Sequence, residues 1–217
     1  HLEILLVDDG STDGTAALCD RLAAEDRRIR VYHKENGGSS SARNLALKYA
    51  SGQYVGFVDS DDYIEPYMYE RLVEAILKFH LPAAQIGRDE IDQEGNLLPD
   101  ICKPPRQSVV IDSEDFLREL LLHRGDCSFC TKLVRRDLFP EDGFPVGKLN
   151  EDFHLLVRML ARIKGLASLP ERAYHVFYRA GSNSRKIEKE AFSQVFGDSV
   201  ENAEMVEGIV KGTYPQL

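Results

Sequence analysis

The sequence has no tryptophan, only three methionines and four cysteines, and no apolar run near the roughly 20 residues that span a bilayer. Cys19, Cys102, Cys127 and Cys130 are too few and too scattered for a disulfide scaffold, which fits a reducing compartment. Cys127 and Cys130 form a C-x-x-C. Without a second such pair they are expected to be two small, partly buried residues rather than a zinc or redox centre. Positive charge is also scarce. Twenty-seven Lys and Arg face thirty-six Asp and Glu, a formal charge of −9, so broad non-specific nucleic-acid binding is excluded and an anionic substrate must find local cations. His1-Leu2 opens no charged n-region with an apolar h-region behind it, and the chain is predicted to be soluble.

What is present is an ordinary globular composition, 43% hydrophobic and 29% charged over 217 residues, enough for one domain with an appended C-terminal subregion. The first third alternates short apolar runs with helical spacing, the order that builds parallel α/β units. Leu2 to Val7 is predicted as a buried strand, with Thr12-Asp13 capping a helix to about Ala24. Ile29 to His33 is a second strand, Ser41 to Ala50 a helix, and Tyr54 to Val58 a third strand. Pro66 opens a further helix whose stripe is Leu72, Val73, Ile76 and Leu77. Beyond Ala83 the pattern changes. Gln85 to Asp92 and Asn96 to Ile101 flank a hairpin signal at Gln93-Glu94-Gly95, and Asp112-Ser113-Glu114 starts a helix to His123. Asp126 to Val134 is expected to be extended, Glu151 to Lys164 helical, Ala173 to Tyr178 a strand, and Ile187 to Val210 a helix that packs on the domain or on a partner.

Two strand ends carry the chemistry. In ILLVDDGSTDGT, Ile4 to Thr15, an apolar run ends in adjacent aspartates, which repel each other unless a cation or hydrogen-bonding ligand joins them. Tyr54 to Val58 runs into Asp59-Ser60-Asp61-Asp62, whose alternating carboxylates suit the hard oxygen coordination of Mg²⁺ or Mn²⁺. Taken alone, that turn suits a solvated helix N-terminus equally well; beside Asp8-Asp9, a metal or nucleotide site is favoured. Between them lies Asn36-Gly37-Gly38-Ser39-Ser40-Ser41-Ala42-Arg43-Asn44. Its glycines admit a ligand to the backbone, its helix start attracts anions, and Arg43 can bind phosphate or the carbonyl edge of a base. Ligands of open α/β sheets bind beyond the carboxyl ends of strands, so the acidic clusters are expected to share a cleft.

Four motifs in order, DDGS at Asp8 to Ser11, NGGSSSARN at Asn36 to Asn44, DSDDYIEP at Asp59 to Pro66, and Glu151-Asp152, resemble family 2 glycosyltransferases of the GT-A fold. The resemblance is strongest up to about Leu77. It implies an α/β fold, a GT-A Rossmann-like mixed sheet with flanking helices. The expected division is a nucleotide-sugar-binding half, residues 1–82, an acceptor and catalytic half of the same domain, 83–186, and a helical tail, 187–217. Such enzymes move a sugar, with inversion, from a nucleotide sugar, commonly a UDP-sugar, to a glycan or lipid-linked acceptor, with help from Mn²⁺ or Mg²⁺. They serve polysaccharide, glycolipid and cell-envelope synthesis. Carried over by position, Asp8, Asp9 and Ser11 fall at the nucleotide, with Asp9 on its base or ribose. Arg43 falls near the base, Asp59 on the ribose or sugar, Asp61 and Asp62 at the metal, and Asp152 at the catalytic base. Tyr178 to Arg185 resembles a late segment near the diphosphate and offers Arg179 and Arg185 as charge neutralisers.

The resemblance also implies a preceding strand-helix unit with a Pro-x-Tyr-Asn-like segment, since His1 already falls in what is the family's second strand. It further implies a cytoplasmic place of work, the inner membrane face included, by peripheral association. A homodimer through the C-terminal helix is a further expectation. Lys132 is expected to be a paired surface lysine and His175 a satisfied strand histidine. Two alternatives stay open. One is a nucleotide-sugar-binding module without turnover. The other is a receiver-like phospho-aspartate domain with Lys103 as its lysine, although Pro99 to Cys102 makes a poor strand before it.

Overall fold

A computed structural model of the chain describes residues 1–177, 191–214 and 216. Strand β1 (Ile4–Asp8) pairs in parallel with β2 (Ile29–His33), and α1 (Thr15–Glu25) connects them. Helix α2 (Ser39–Tyr49) leads to β3 (Tyr54–Val55), β4 (Tyr63–Ile64) and α3 (Met68–Phe79). Then follow β5 (Ala83–Ile91), β6 (Val109–Asp112), α4 (Ser113–Leu121), β7 (Lys132–Arg135), α5 (Glu151–Leu160), β8 (Gly165–Phe177) and α6 (Ala191–Thr213).

Strands β1 and β2 form a sheet of their own; the other six make a mixed sheet of order β3-β7-β5-β8-β4, with β6 also on β8. The expected first-third sheet is thus divided. Strand β3 is two residues long and runs antiparallel to β7, while β4 pairs antiparallel with the far half of β8. The sheet therefore joins residues on both sides of position 82/83. At its centre β5 and β8 run parallel, with a register shift around Gly87 opposite the stretch of β8 that holds Pro170, which has no N–H to pair. Lys103 follows a bend at Ile101-Cys102 rather than a strand, which removes the receiver-like alternative's lysine from its expected place.

Packing explains where the elements depart from expectation. In α3 the buried residues are Met68, Leu72, Ala75 and Ile76, one face at helical spacing. Leu77 lies one position beyond that face and is 61% exposed. Helix α5 stops at Leu160 rather than Lys164, because Gly165 must start β8 against β6. A Cβ on Gly165 would stand 2.4 Å from the Ile111 carbonyl. Asp112 caps α4, its carboxylate accepting from the Glu114 N–H at 2.8 Å. Residues 126–131 are a loop rather than part of an extended strand.

Helix α6 packs on its own domain. Val206 is buried, Met205, Ile209 and Val210 join the core, and the Tyr214 hydroxyl donates to the Leu160 carbonyl at 2.9 Å. Strand β1, expected to be buried, is only half-buried apart from Asp8, since it has a single strand neighbour. Its start is tied to the main sheet by Glu3, whose carboxylate accepts from Ser51 N, Ser51 Oγ and Gly52 N at 2.6, 2.9 and 2.7 Å just ahead of β3. Among the described residues no helix is long and apolar enough to cross a membrane.

Candidate active site

The acidic pair at the end of β1 is satisfied from within the chain. Asp8 is buried; Oδ1 accepts from the Ser11 N–H at 3.0 Å and Oδ2 lies 3.0 Å from His33 Nδ1, the residue opposite it on β2. Ser11 and His33 hold the Asp8 carboxyl down at about 2. Asp9 binds the Lys34 ammonium and the N–H groups of Gly37 and Gly38, the latter at 2.7 Å. Burial pushes its carboxyl up, but these donors outweigh burial and hold it below the usual range. Glycine is required at Gly10, φ +76°, because a Cβ there would stand 2.7 Å from Asn36 N. The β1 turn and the glycine loop therefore close on one another, and α2 starts from that clamp at Ser39.

One turn into α2, Arg43 reaches the second cluster. Its guanidinium donates to Asp59 Oδ1 at 2.9 Å and to Asp152 Oδ1 at 3.0 Å, with Glu151 Oε1 at 3.4 Å. It lies over the rings of Phe57 and Phe144, its centre 5.9 and 5.4 Å from theirs. Burial disfavours the charge, yet Asp152 and Asp59 outweigh it and keep Arg43 protonated. Phe144 is fixed in turn by Asn44, which exchanges two hydrogen bonds with its backbone at 2.7 and 2.8 Å. Residues from three of the four sequence motifs thus meet at one arginine.

Asp152 sits in the first turn of α5. Its Oδ2 accepts from the Phe129 N–H at 3.2 Å. Burial pushes its carboxyl up to about 6; Arg43 and the Phe129 N–H pull down, while Glu151 and Asp59 add to the rise. A carboxylate of that basicity is suited to take a proton near neutral pH.

In the Asp59 to Asp62 turn the carboxylates differ. Asp62 accepts from the Tyr174 hydroxyl at 2.7 Å and from the Phe177 N–H at 3.0 Å. Burial nonetheless raises its carboxyl, with Asp59 and Asp61 contributing. The Tyr174 hydroxyl also accepts from the Asp59 N–H at 3.1 Å, so one buried phenol pins both ends of the turn. Asp61 is exposed, and among the described residues no hydrogen bond or ion pair reaches its carboxylate. Nor, among those residues, do three His, Cys, Asp or Glu gather as a closed metal cage. The donor set matches an ion held by one or two carboxylates that takes its other ligands from phosphate and water.

Arg179 and Arg185 lie outside the described residues. Cys127 and Cys130 are free thiols that burial pushes up to about 11 and 12, as expected of inert residues. His175 lies between Asp89, at 2.6 Å, and Glu65, at 3.2 Å, a satisfied strand histidine. Lys132 departs from expectation, being buried at 1% exposure rather than on the surface. Neither Tyr174 nor the Phe129 N–H is marked in the sequence; the signal for Tyr174 is a polar-tipped aromatic in the buried run Ala173 to Phe177.

A mixed sheet with flanking helices and carboxylates clustered at its strand ends defines the GT-A class of nucleotide-sugar folds. The crystal structure of S. aureus TarS 1-349 in complex with UDP-GlcNAc shares this fold, with TM-score 0.73 and 24% identity over 92% of this chain and 57% of that one. The sequence model of Glycosyl transferase family 2 matches residues 1–143, and the chain belongs to that family. Glycosyltransferase GlyA of Streptococcus pneumoniae is 32% identical over 191 residues, 85% of this chain and 27% of that protein. Glycosyltransferase GlyG of the same organism is 30% identical over 205 residues, 85% of this chain and 64% of that protein. The chain therefore spans about a quarter and just under two thirds of the length of these two relatives.

Proposed function

We propose that the chain carries the donor and catalytic site of an inverting glycosyltransferase that moves a sugar from a UDP-sugar to a glycan or lipid-linked hydroxyl in cell-envelope polysaccharide synthesis. The observation that carries this reading is the Asp152 carboxylate. It is raised to about 6, and Arg43 holds it to the Asp59 to Asp62 turn in a chain of this family. UDP is chosen because the solved neighbour TarS binds UDP-GlcNAc.

Asp152 acts as general base. Its carboxylate takes the acceptor hydroxyl's proton as the acceptor oxygen bonds to the anomeric carbon, whose bond to the diphosphate breaks on the opposite face. Arg43 holds the Asp59 and Asp152 carboxylates in register, so the donor's ribose or sugar contact and the base are set by one side chain. Asp61, without a hydrogen-bond or ion-pair partner among the described residues, would offer a carboxylate to Mn²⁺ or Mg²⁺, and Asp62, fixed by Tyr174 and Phe177, would complete the protein's share. An ion held by these residues would supply positive charge against the departing diphosphate. Asp9 serves the nucleotide by shaping the Gly37-Gly38 loop, Asp8 and Ser11 by fixing the β1 turn beside it, and Arg179 and Arg185 are the proposed diphosphate neutralisers.

The test is release of UDP from a panel of UDP-sugars, UDP-GlcNAc first, with mixed glycan acceptors, with and without Mn²⁺, for the wild type and Asp152→Asn. Metal-dependent release that falls about 10²- to 10⁴-fold in the variant is expected. Equal release from both proteins would remove Asp152 as the base.

A further inference from the structure

Lys132 is an amine-bearing side chain in the core with no catalytic part in the proposed reaction, and burial pushes its ammonium below the ordinary lysine range. It opens β7, is 1% exposed, and spends its ammonium on its own preceding loop. Nζ donates to the carbonyls of Asp126 and Ser128, both at 2.7 Å, and to Thr131 Oγ1 at 3.4 Å, which uses all three of its donors. Its backbone N–H adds a bond to the Phe129 carbonyl at 3.1 Å. One residue therefore grips three carbonyls, those of residues 126, 128 and 129, and folds loop 126–131 back on itself.

The rest of the loop is bound to the same end. Asp126 accepts from the Ser128 N–H at 3.0 Å and the Thr131 hydroxyl at 2.9 Å, and Arg88 Nε lies 3.8 Å from it. The Phe129 ring is buried among Phe57, Phe139 and Phe144, the cluster on which Arg43 rests. Between these two anchors the Phe129 N–H projects to Asp152 Oδ2 at 3.2 Å. An apolar side chain at position 132 would fill the core without the cost of burying an ammonium. It could not draw in the carbonyls that turn that N–H toward the base.

We propose that Lys132 is a positioning residue for Asp152: by closing loop 126–131 it aims the Phe129 N–H at the carboxylate and fixes its orientation and basicity. This rests on Asp152 being the base. The Asp152 carboxylate is faced by Arg43 from α2, Asp59 from the turn after β3, Glu151 on its own helix, and Cys127, Cys130 and Lys132 from the loop and β7. Among these, Arg43 carries the positive charge, while burial pushes the Lys132 ammonium below the ordinary lysine range. The Phe129 N–H holds the Asp152 carboxyl down, so losing that bond raises it.

The experiment follows the Phe129 amide by proton–nitrogen NMR from pH 4.5 to 8 in the wild type, Asp152→Asn, Lys132→Met and Thr131→Val. In the wild type the amide shift should titrate with a midpoint near 6, and in Asp152→Asn it should be flat. In Lys132→Met the titration should collapse or move up by about one pH unit. The acid limb of kcat/KM should move with it while KM for the UDP-sugar stays put. A core lysine with no positioning role would lower the melting temperature and leave the midpoint where it was; that result overturns the proposal. Should Lys132→Met fail to fold, Thr131→Val decides, because it removes the hydroxyl that binds Asp126, Ser128 and Lys132 Nζ and so opens the same loop while the Lys132 side chain stays. An unmoved midpoint in Thr131→Val then overturns the proposal. Full turnover by Asp152→Asn would instead overturn the base assignment, whatever the Phe129 amide does.

Discussion

At the end of β1 all four carboxylate oxygens of Asp8 and Asp9 are bonded by the chain itself, whereas in the Asp59 to Asp62 turn Asp61 is exposed and, among the described residues, meets no hydrogen-bond or ion-pair partner. The two clusters look alike in the sequence: each ends an apolar strand, and each pairs aspartates with a serine. Their partners separate them. The first clamps the Gly37-Gly38 loop to β1, and the second is braced from behind by Tyr174 and coupled through Arg43 to a carboxylate of raised basicity. Acidic turns at strand ends thus divide into a cluster that holds the chain's own backbone and a cluster that, in the proposed function, offers ligands to the donor.

The largest expected effect breaks the second cluster. Asp152→Asn should cost about 10²- to 10⁴-fold in turnover. It should not lower the melting temperature at pH 7, because a carboxyl raised to about 6 favours the folded state only when protonated and its charged form is penalised above that pH. Initial rates and a thermal melt on the same preparation check both. Wild-type activity should fall as pH drops through about 6.

The first cluster should fail in the other currency. Asp9→Ala unclamps Gly37, Gly38 and Lys34 and should cost about 1–3 kcal/mol in urea unfolding, since hydrogen bonds to a charged group are lost. Asp61→Ala, with no partner to strand among the described residues, should stay within about 0.5 kcal/mol of the wild type. Tyr174→Phe sharpens the comparison. It leaves the Asp59 N–H and Asp62 Oδ2 without their shared hydroxyl, and should cost about 1–2 kcal/mol while loosening the Asp59 to Asp62 turn.

The smallest effect is the pH dependence of the Asp8–His33 pair. His33 is raised above 6.5 by Asp8 and Asp20, so its contribution is complete below 6.5 and fades as pH climbs through its folded-state value. Asp8 is lowered from 3.8 to about 2, so its contribution is complete above 3.8 and is lost as pH falls toward 2. Melting temperatures of the wild type and His33→Gln should therefore differ most between these limits and converge above them.

Features decided by neighbours in the chain were legible in the sequence. The Asp112 cap, the α3 stripe at Leu72 and Ile76, and the ordered acidic and glycine motifs all depend on spacing alone. Features decided by strand pairing were not. His33 meets Asp8 because the parallel register sets them opposite, and Tyr174 reaches the acidic turn because β4 pairs with β8 at Ile64. Lys132 read as a surface residue because lysine is seldom buried without partners. Its partners are backbone carbonyls of its own loop, which no residue pattern displays.

The most direct test of the division between the two clusters is calorimetric titration of UDP, with and without Mn²⁺, into the wild type and Asp61→Ala. The account predicts UDP binding that needs Mn²⁺ and is lost in Asp61→Ala, although that variant unfolds at the same urea concentration as the wild type. Manganese-dependent binding of equal strength in both proteins would contradict it.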